Sequence, residues 1–365
     1  MYRELNLMTL LLTNDEVESL LSMPEMINEL EQAYSDLANN QAINRNRSDT
    51  GIPRPDIDAN YVFKSMEGGY PRRGVYALRI SSDIIQWPSQ GARQHRKEKL
   101  PALPGNRWLG LVLLFSVENG ELLAVLPDGI IQRFRVGATN GLGIKMMSRQ
   151  DSRRVGLIGS GFQAGTQAMA ACAVRPIEKI SVYSPTEAKR RAFALEWSKR
   201  LGIPVTPAAS AEEAVAGADI VMCATNSMQP VINADWLEPG MHLSSLKRFE
   251  IPVECYRRAD RVAVHTRLWE PDMQMMGEEN LPDDSLWAQR KAANGIDWLD
   301  QPEIGQLTSG KEPGRTSDRE ITCFMNNVGL GLQFAAAGAL ILDKARRAEL
   351  GRELPLEWFT QTVVS

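Results

Sequence analysis

The sequence predicts an α/β protein built in two parts, and three observations carry that reading. After residue 150, short apolar runs alternate with helix-forming segments. At the first of these junctions an apolar strand, Val155-Gly156-Leu157-Ile158, runs into the turn Gly159-Ser160-Gly161-Phe162-Gln163-Ala164. Before residue 130 the pattern alternates in twos and doubles back at Asn119-Gly120, a hairpin signal. A chain of 365 residues is long enough for two cores.

In chain order, residues 10–12 read as a short strand, and Thr13 or Asn14 caps a helix whose first turn carries Asp15 and Glu16. A second helix is expected over 24–39, with Met26, Leu30, Ala33 and Leu37 on one face. Strands follow at 61–64, 75–80, 110–116 and 122–126, which makes the first part an α+β unit. Residues 86–108, with Arg93, Arg96, Lys97, Lys99 and Arg107 among prolines, read as a solvated loop, an active-site cover or a dimer arm. Strands at 179–183, 205–206, 220–224, 241–246 and 261–265 alternate with helices at 186–201 and 211–216, which implies a parallel sheet covered on both faces.

That context gives the glycine turn its meaning. Gly159 permits a tight bend, Gly161 lets backbone approach a diphosphate, and a small residue at 164 allows close helix packing; the helix N-terminus then faces the anion. The second part therefore reads as a Rossmann-type dinucleotide-binding domain. The next strand ends Tyr183-Ser184-Pro185-Thr186, where an acid would bond the ribose hydroxyls of NAD. Ser184 and Thr186 are neutral, and Lys189, Arg190 and Arg191 follow, so NADP is favoured over NAD.

Composition excludes other classes. A net charge of −4 exerts no general pull on nucleic acid or anionic membrane. The apolar tract at 329–342 contains Gln333 and is too short to span a bilayer; it reads as a buried helix. Cys172, Cys223, Cys255 and Cys323 form no Cys-x-x-Cys and read as reduced thiols of a cytoplasmic protein. His95, His242 and His265 have no metal-ligand spacing, so no metal is expected.

Several motifs recur in one order: Phe63-Lys64 with Gly68-Gly69, Leu126-Pro127-Asp128-Gly129 leading to Arg135-Val136-Gly137-Ala138-Thr139, and the glycine turn with Gln163. Cys223-Ala224-Thr225-Asn226-Ser227, Gly240-Met241-His242-Leu243 and Thr316-Ser317-Asp318-Arg319-Glu320-Ile321-Thr322 complete the series. In these the chain resembles the ornithine cyclodeaminase/μ-crystallin family. The resemblance implies a homodimer in which residues 1–137 with 320–365 form a substrate-binding and dimerisation domain and 138–319 the dinucleotide domain. It implies hydride transfer at the Cα of a small amino or imino acid. Arg135 would grip the carboxylate, Lys64 would be the active-site lysine, and Arg47, with Arg45 as rival, a second substrate contact. Gly159 to Ala164, Ser184, Thr186, Lys189 and Ala224, Thr225, Asn226 and Ser227 would hold the cofactor.

The chain departs from the family after 245. Cyclodeaminases carry a catalytic aspartate there, whereas this sequence reads Leu246-Lys247-Arg248-Phe249-Glu250. Glu250 is the candidate stand-in, and Lys247 or Arg248 could bind an acidic group. Three readings follow: an NAD(P)-dependent oxidoreductase acting on the C–N bond of an amino or imino acid, a cyclodeaminase-like ammonia lyase, and a non-catalytic small-molecule binder of μ-crystallin type. Substrate choice would rest on the loops 86–108 and 268–290.

Overall fold

The twofold alternation of the first part builds a ten-stranded sheet. In the computed structural model, which describes residues 8–86, 98–247, 250–268, 272–277 and 297–362, its centre is an antiparallel meander. The meander runs Ser48–Arg54, Ala59–Tyr70, Val75–Gln86, Leu109–Ser116 and Leu122–Pro127. Met8–Leu11 lies parallel to Leu122–Pro127, and Arg352–Pro355 closes that edge. Helices Asn14–Leu20, capped by the Thr13–Glu16 box, and Met23–Ala38 pack on the same core.

Two strands are longer than the sequence reading. The segment read at 61–64 spans Ala59–Tyr70, through Gly68 and Gly69, and that read at 75–80 reaches Gln86. Glycines weaken a strand unless something approaches closely. Here the helix Gly331–Ala348 lies directly on them: a Cβ at Gly68 would strike the Leu332 backbone, and one at Gly331 the backbone of Glu67. This return helix is the buried apolar tract of the sequence. Residues 87–97 lie outside the described residues, but Glu98–Leu100 pairs antiparallel with Val75–Gln86 where a solvated loop is one reading.

The second sheet has seven parallel strands, in the order Val205–Pro207, Lys179–Tyr183, Arg154–Ile158, Ile220–Cys223, His242–Ser245, Thr322–Met325 and Arg261–Val264. From Arg154–Ile158 the chain builds outward on one side, then crosses to the other, so a switch point opens at the end of that strand. The sequence reading returns the chain to the first domain at 320. Thr322–Met325 instead is a fully buried strand of the parallel sheet, and the crossing follows it. A short apolar run reads alike in either sheet, which is why the boundary is misplaced.

Helix Asp128–Met147 couples the two sheets. Its glycines let it lie against neighbours on both sides: a Cβ at Gly137 would stand 2.7 Å from the Thr166 carbonyl oxygen, and one at Gly143 would strike the Phe324 ring. All four cysteines are free thiols, and no described helix is long and apolar enough to cross a membrane. Replacing Gly68 by Val should separate the return helix from the sheet and cost about 2–4 kcal/mol. Urea unfolding checks this; an unchanged midpoint would show that the contact does not pin the helix.

Candidate active site

The glycine turn sits at the switch point. Gly159 has φ +119°, and a Cβ there would also collide with the Ala224 carbonyl, so only glycine fits. Its N–H donates to the Tyr183 carbonyl at 2.8 Å, while Ala224 N–H donates to Ile158 at 2.8 Å. Gly161 faces open space. Helix Ala164–Val174 begins immediately after, seated with Gly165 against the Trp197 ring. Gln163 Oε1 and both amide ends of Gln167 are buried without a hydrogen-bond partner. Open space before a helix N-terminus, with unspent polar atoms beside it, fits a dinucleotide diphosphate.

Around the turn, Ser160 Oγ and Ser184 Oγ share a hydrogen bond of 2.8 Å, and Phe162 projects outward beneath the Arg133 guanidinium at 4.8 Å. Thr225 and Ser227 form a local turn, the Ser227 N–H donating to Thr225 Oγ1 at 3.0 Å, and Asn226 is exposed. Thr186, the N-cap of the helix Glu187–Leu201, and Lys189 within it are exposed. The cation brought to the strand end is Arg190, which donates to the Ser184 carbonyl at 3.1 Å and lies over Tyr183.

Helix Asp128–Met147 carries Arg135 one half-turn before the glycine that touches Thr166, so it links the cradle to a second group of residues. Arg135 is only 6% exposed and has no acidic partner among the described residues. One nitrogen donates to Gln333 Oε1 at 3.1 Å, its Nε is unpartnered, and its guanidinium lies 5.3 Å over the Phe334 ring. Burial, reinforced by nearby Arg79, pushes its pKa down to about 9. Gln333 is held in turn by Leu330 N–H at 2.9 Å and by its own donation to Thr139 Oγ1 at 2.7 Å. Thr139 then meets the Tyr34 hydroxyl, which meets His265 Nε2 at 2.7 Å.

The inward face of the first sheet supplies the remainder. Cross-strand register sets Asp49 opposite Lys64 and Lys64 opposite Ser81. Lys64, 5% exposed, is ion-paired to Asp83, whose other oxygen accepts from Lys99 Nζ at 3.0 Å. Burial outweighs the Asp83 carboxylate and holds the Lys64 pKa down at about 8. Arg47 forks onto buried Asp49, with Nε to Oδ1 at 2.6 Å, whereas Arg45 is a surface partner of Glu67. Arg79 pairs with Asp128, its Nε to Oδ2 at 2.6 Å, and shares the Phe334 ring with Arg135.

Arg47, Lys64 and Arg135 thus sit with three aspartates and Arg79, which sequence reading missed. The signal was available: in the strand from Val75, positions 75, 77, 79, 81 and 83 alternate inward, and Arg79 and Asp83 fall on that parity.

Glu250 does not stand with them. It is fully buried and accepts from Thr225 N–H, from Ser245 Oγ at 3.0 Å and from Leu246 N–H at 3.2 Å. Burial raises its pKa despite those donors. A carboxylate closed in this way ties two strand-end loops together. Lys247 is half-buried, while Arg248 and Phe249 lie outside the described residues. So do Trp269, Glu270, Pro271 and most of the 268–290 loop. Among the described residues no group of His, Cys, Asp and Glu is placed to hold a metal ion.

A glycine turn fit for a nucleotide, joined by one helix to a cluster of buried cations, defines the class, and the relatives below make it a nicotinamide dinucleotide-dependent oxidoreductase. More particularly, the chain belongs to the ornithine cyclodeaminase/mu-crystallin family, whose model matches residues 94–349. A Delta(1)-pyrroline-2-carboxylate reductase of Bacillus cereus is 32% identical over 251 residues, 67% of this chain and 74% of that one. An alanine dehydrogenase of Archaeoglobus fulgidus is 28% identical over 355 residues, 95% of this chain and 98% of that one. The solved structure of Thermococcus litoralis Delta(1)-pyrroline-2-carboxylate reductase in complex with NADH and L-proline matches with a TM-score of 0.76 at 29% identity. It covers 95% of this chain and 100% of that chain.

For Glu250→Gln the expected outcome is a loss of about 1–3 kcal/mol of stability, because an amide donor would face N–H donors, with turnover per folded molecule retained. Denaturant titration alongside an assay checks this; turnover lost at unchanged stability would restore Glu250 to the chemistry.

Proposed function

We propose that this enzyme reduces the C=N bond of a small 2-imino acid and catalyses the reverse oxidation of the amino acid. The observation that carries the reading is Arg135, a buried guanidinium that no described carboxylate neutralises. A desolvated cation of this kind calls for an anion, and a planar carboxylate suits its fork. The half-buried Arg47 and the buried Lys64 and Arg79 each have an aspartate. Arg135 is thus the cation left for the carboxylate of a substrate.

Lys64 is the proton-transfer group. Its ammonium is buried, and a lowered pKa places it in the range where it can give and take a proton. The bound nicotinamide supplies or accepts the hydride. Gly159 to Ala164 would hold its diphosphate, and Ser160, Ser184 and the loop at 225–227 would flank it. Glu250, the one acid of the sequence between 246 and 250, is engaged by three donors, which supports net redox over ammonia loss.

NADP is the preferred cofactor in this reading, because Ser184 repels no phosphate and Arg190 stands beside it. A homodimer is supported by the solved archaeal alanine dehydrogenase dimer with bound NAD, 26% identical to this chain. The outward side of the first sheet is also rich in apolar residues, with Ile52 and Leu109 exposed beside Tyr61, Phe63 and Leu111.

Purified enzyme should oxidise NADPH in the presence of a small cyclic or linear 2-imino acid; ammonia release without net absorbance change would sink the reductase reading in favour of a lyase. Arg135→Met should weaken kcat/KM by about 100-fold, near 3 kcal/mol, chiefly through KM. Lys64→Ala should lower turnover by about 10²–10⁴ at unchanged cofactor affinity. Ser184→Asp should reverse the preference from NADPH to NADH, read as the ratio of their dissociation constants; an unchanged ratio removes Ser184 from cofactor choice.

A further inference from the structure

The carboxylate of Asp83 does more than neutralise one lysine. Its two oxygens are divided, one to Lys64 and the other to Lys99 at 3.0 Å, and the side chains of Lys64, Asp83 and Lys99 are 6%, 1% and 43% exposed. A continuous line of polar contacts therefore runs from a buried amine to the solvent. Lys99 reaches it because Glu98–Leu100 pairs with the far end of Val75–Gln86, setting Lys99 opposite Ile85 and close to Asp83.

We infer that Asp83 and Lys99 are positioning residues for Lys64, holding its amine in place and coupling it to the surface so that it can recover the proton it spends. The inference rests on the proposed role of Lys64. Reduction of a C=N bond consumes one hydride at carbon, from NAD(P)H, and one proton at nitrogen. If Lys64 donates that proton it is left as a neutral amine and must regain one from water before the next turnover. Asp83 is the group in contact with both the buried amine and the exposed one. It accepts from either ammonium, which makes it the bridge.

The charges facing Lys64 are few. Among the described residues, Arg47 approaches from just before Ser48–Arg54 and Asp49 from within it, Asp83 from Val75–Gln86, and Lys99 from Glu98–Leu100. The return helix has no charged residue among its buried positions. Of these, Asp83 raises the Lys64 pKa, while Lys99 and Arg47 lower it. Removing Asp83 and removing Lys99 must therefore act in opposite directions.

The test is the pH dependence of kcat/KM for imine reduction by the full-length enzyme with saturating NADPH. The reaction needs protonated Lys64, so activity should hold below a basic limb near pH 8 and fall above it. Lys99→Met should move that limb up, and Asp83→Asn should move it down, each by about 0.5–1 unit. Both should lower kcat more than they raise KM, and Lys99→Arg should restore the native profile. Titration of the imine itself would move in neither variant.

Limbs that stay in place, or move the same way in both, overturn the positioning role. Should Asp83→Asn fail to fold, Lys99→Met and Lys99→Arg decide alone, since Lys99 is half-exposed. Lys64→Met separates the two proposals. Full turnover there overturns the proton-transfer reading itself. Lost turnover there with unmoved limbs in the other variants overturns only the role of Asp83 and Lys99.

Discussion

The structure is arranged around a buried arginine that no described acid neutralises. An unpaired guanidinium in a core costs several kcal/mol, and a protein keeps one only where neighbouring groups hold it. Here Gln333 accepts from Arg135 and Phe334 offers it a ring face, both on the return helix. That helix can lie close enough only because Gly68 and Gly331 bring its backbone onto the strand Ala59–Tyr70. Arg135 is itself borne by the helix that couples the two sheets. The cationic cluster and the glycine turn are thus held in register by the packing that preserves one charge.

The remaining charges of the pocket follow another rule. Each of these cations has an aspartate: Asp49, two residues on in the same segment, for Arg47, Asp83 on a neighbouring strand for Lys64, and Asp128 on a helix for Arg79. Pairing of this kind does little for stability, since desolvation offsets attraction, but it orients each side chain. Orientation is what a reacting centre needs, because a small displacement of a clamp or proton donor is costly in rate.

Much of this was legible in the sequence, for physical reasons. The glycine turn and the strand–helix alternation behind it are local patterns, and local sterics decide them. Arg135 and Lys64 came from an ordered motif series and Arg47 from the family resemblance, and in the structure Arg47 lies close enough to act electrostatically on both. Asp83, Asp128 and Gln333 were not read as site residues, because their partners lie on other strands or in a helix far along the chain. Glu250 shows another limit of local reading. Its type and position suggested chemistry, but three donors converge on it in space, and no local pattern announces that. The strand Thr322–Met325 was assigned to the wrong part because an apolar tetrapeptide does not declare which sheet it joins.

The closing of the first sheet by Arg352–Pro355 against Met8–Leu11 has a consequence for how the molecule comes into being. The parallel sheet lies within one continuous stretch of chain, from Arg154 to Met325. The first sheet instead joins strands from opposite ends, and it closes only when the last of them is available. During synthesis the enclosure of Arg135 therefore waits for the return helix Gly331–Ala348 to emerge, near the end of the chain.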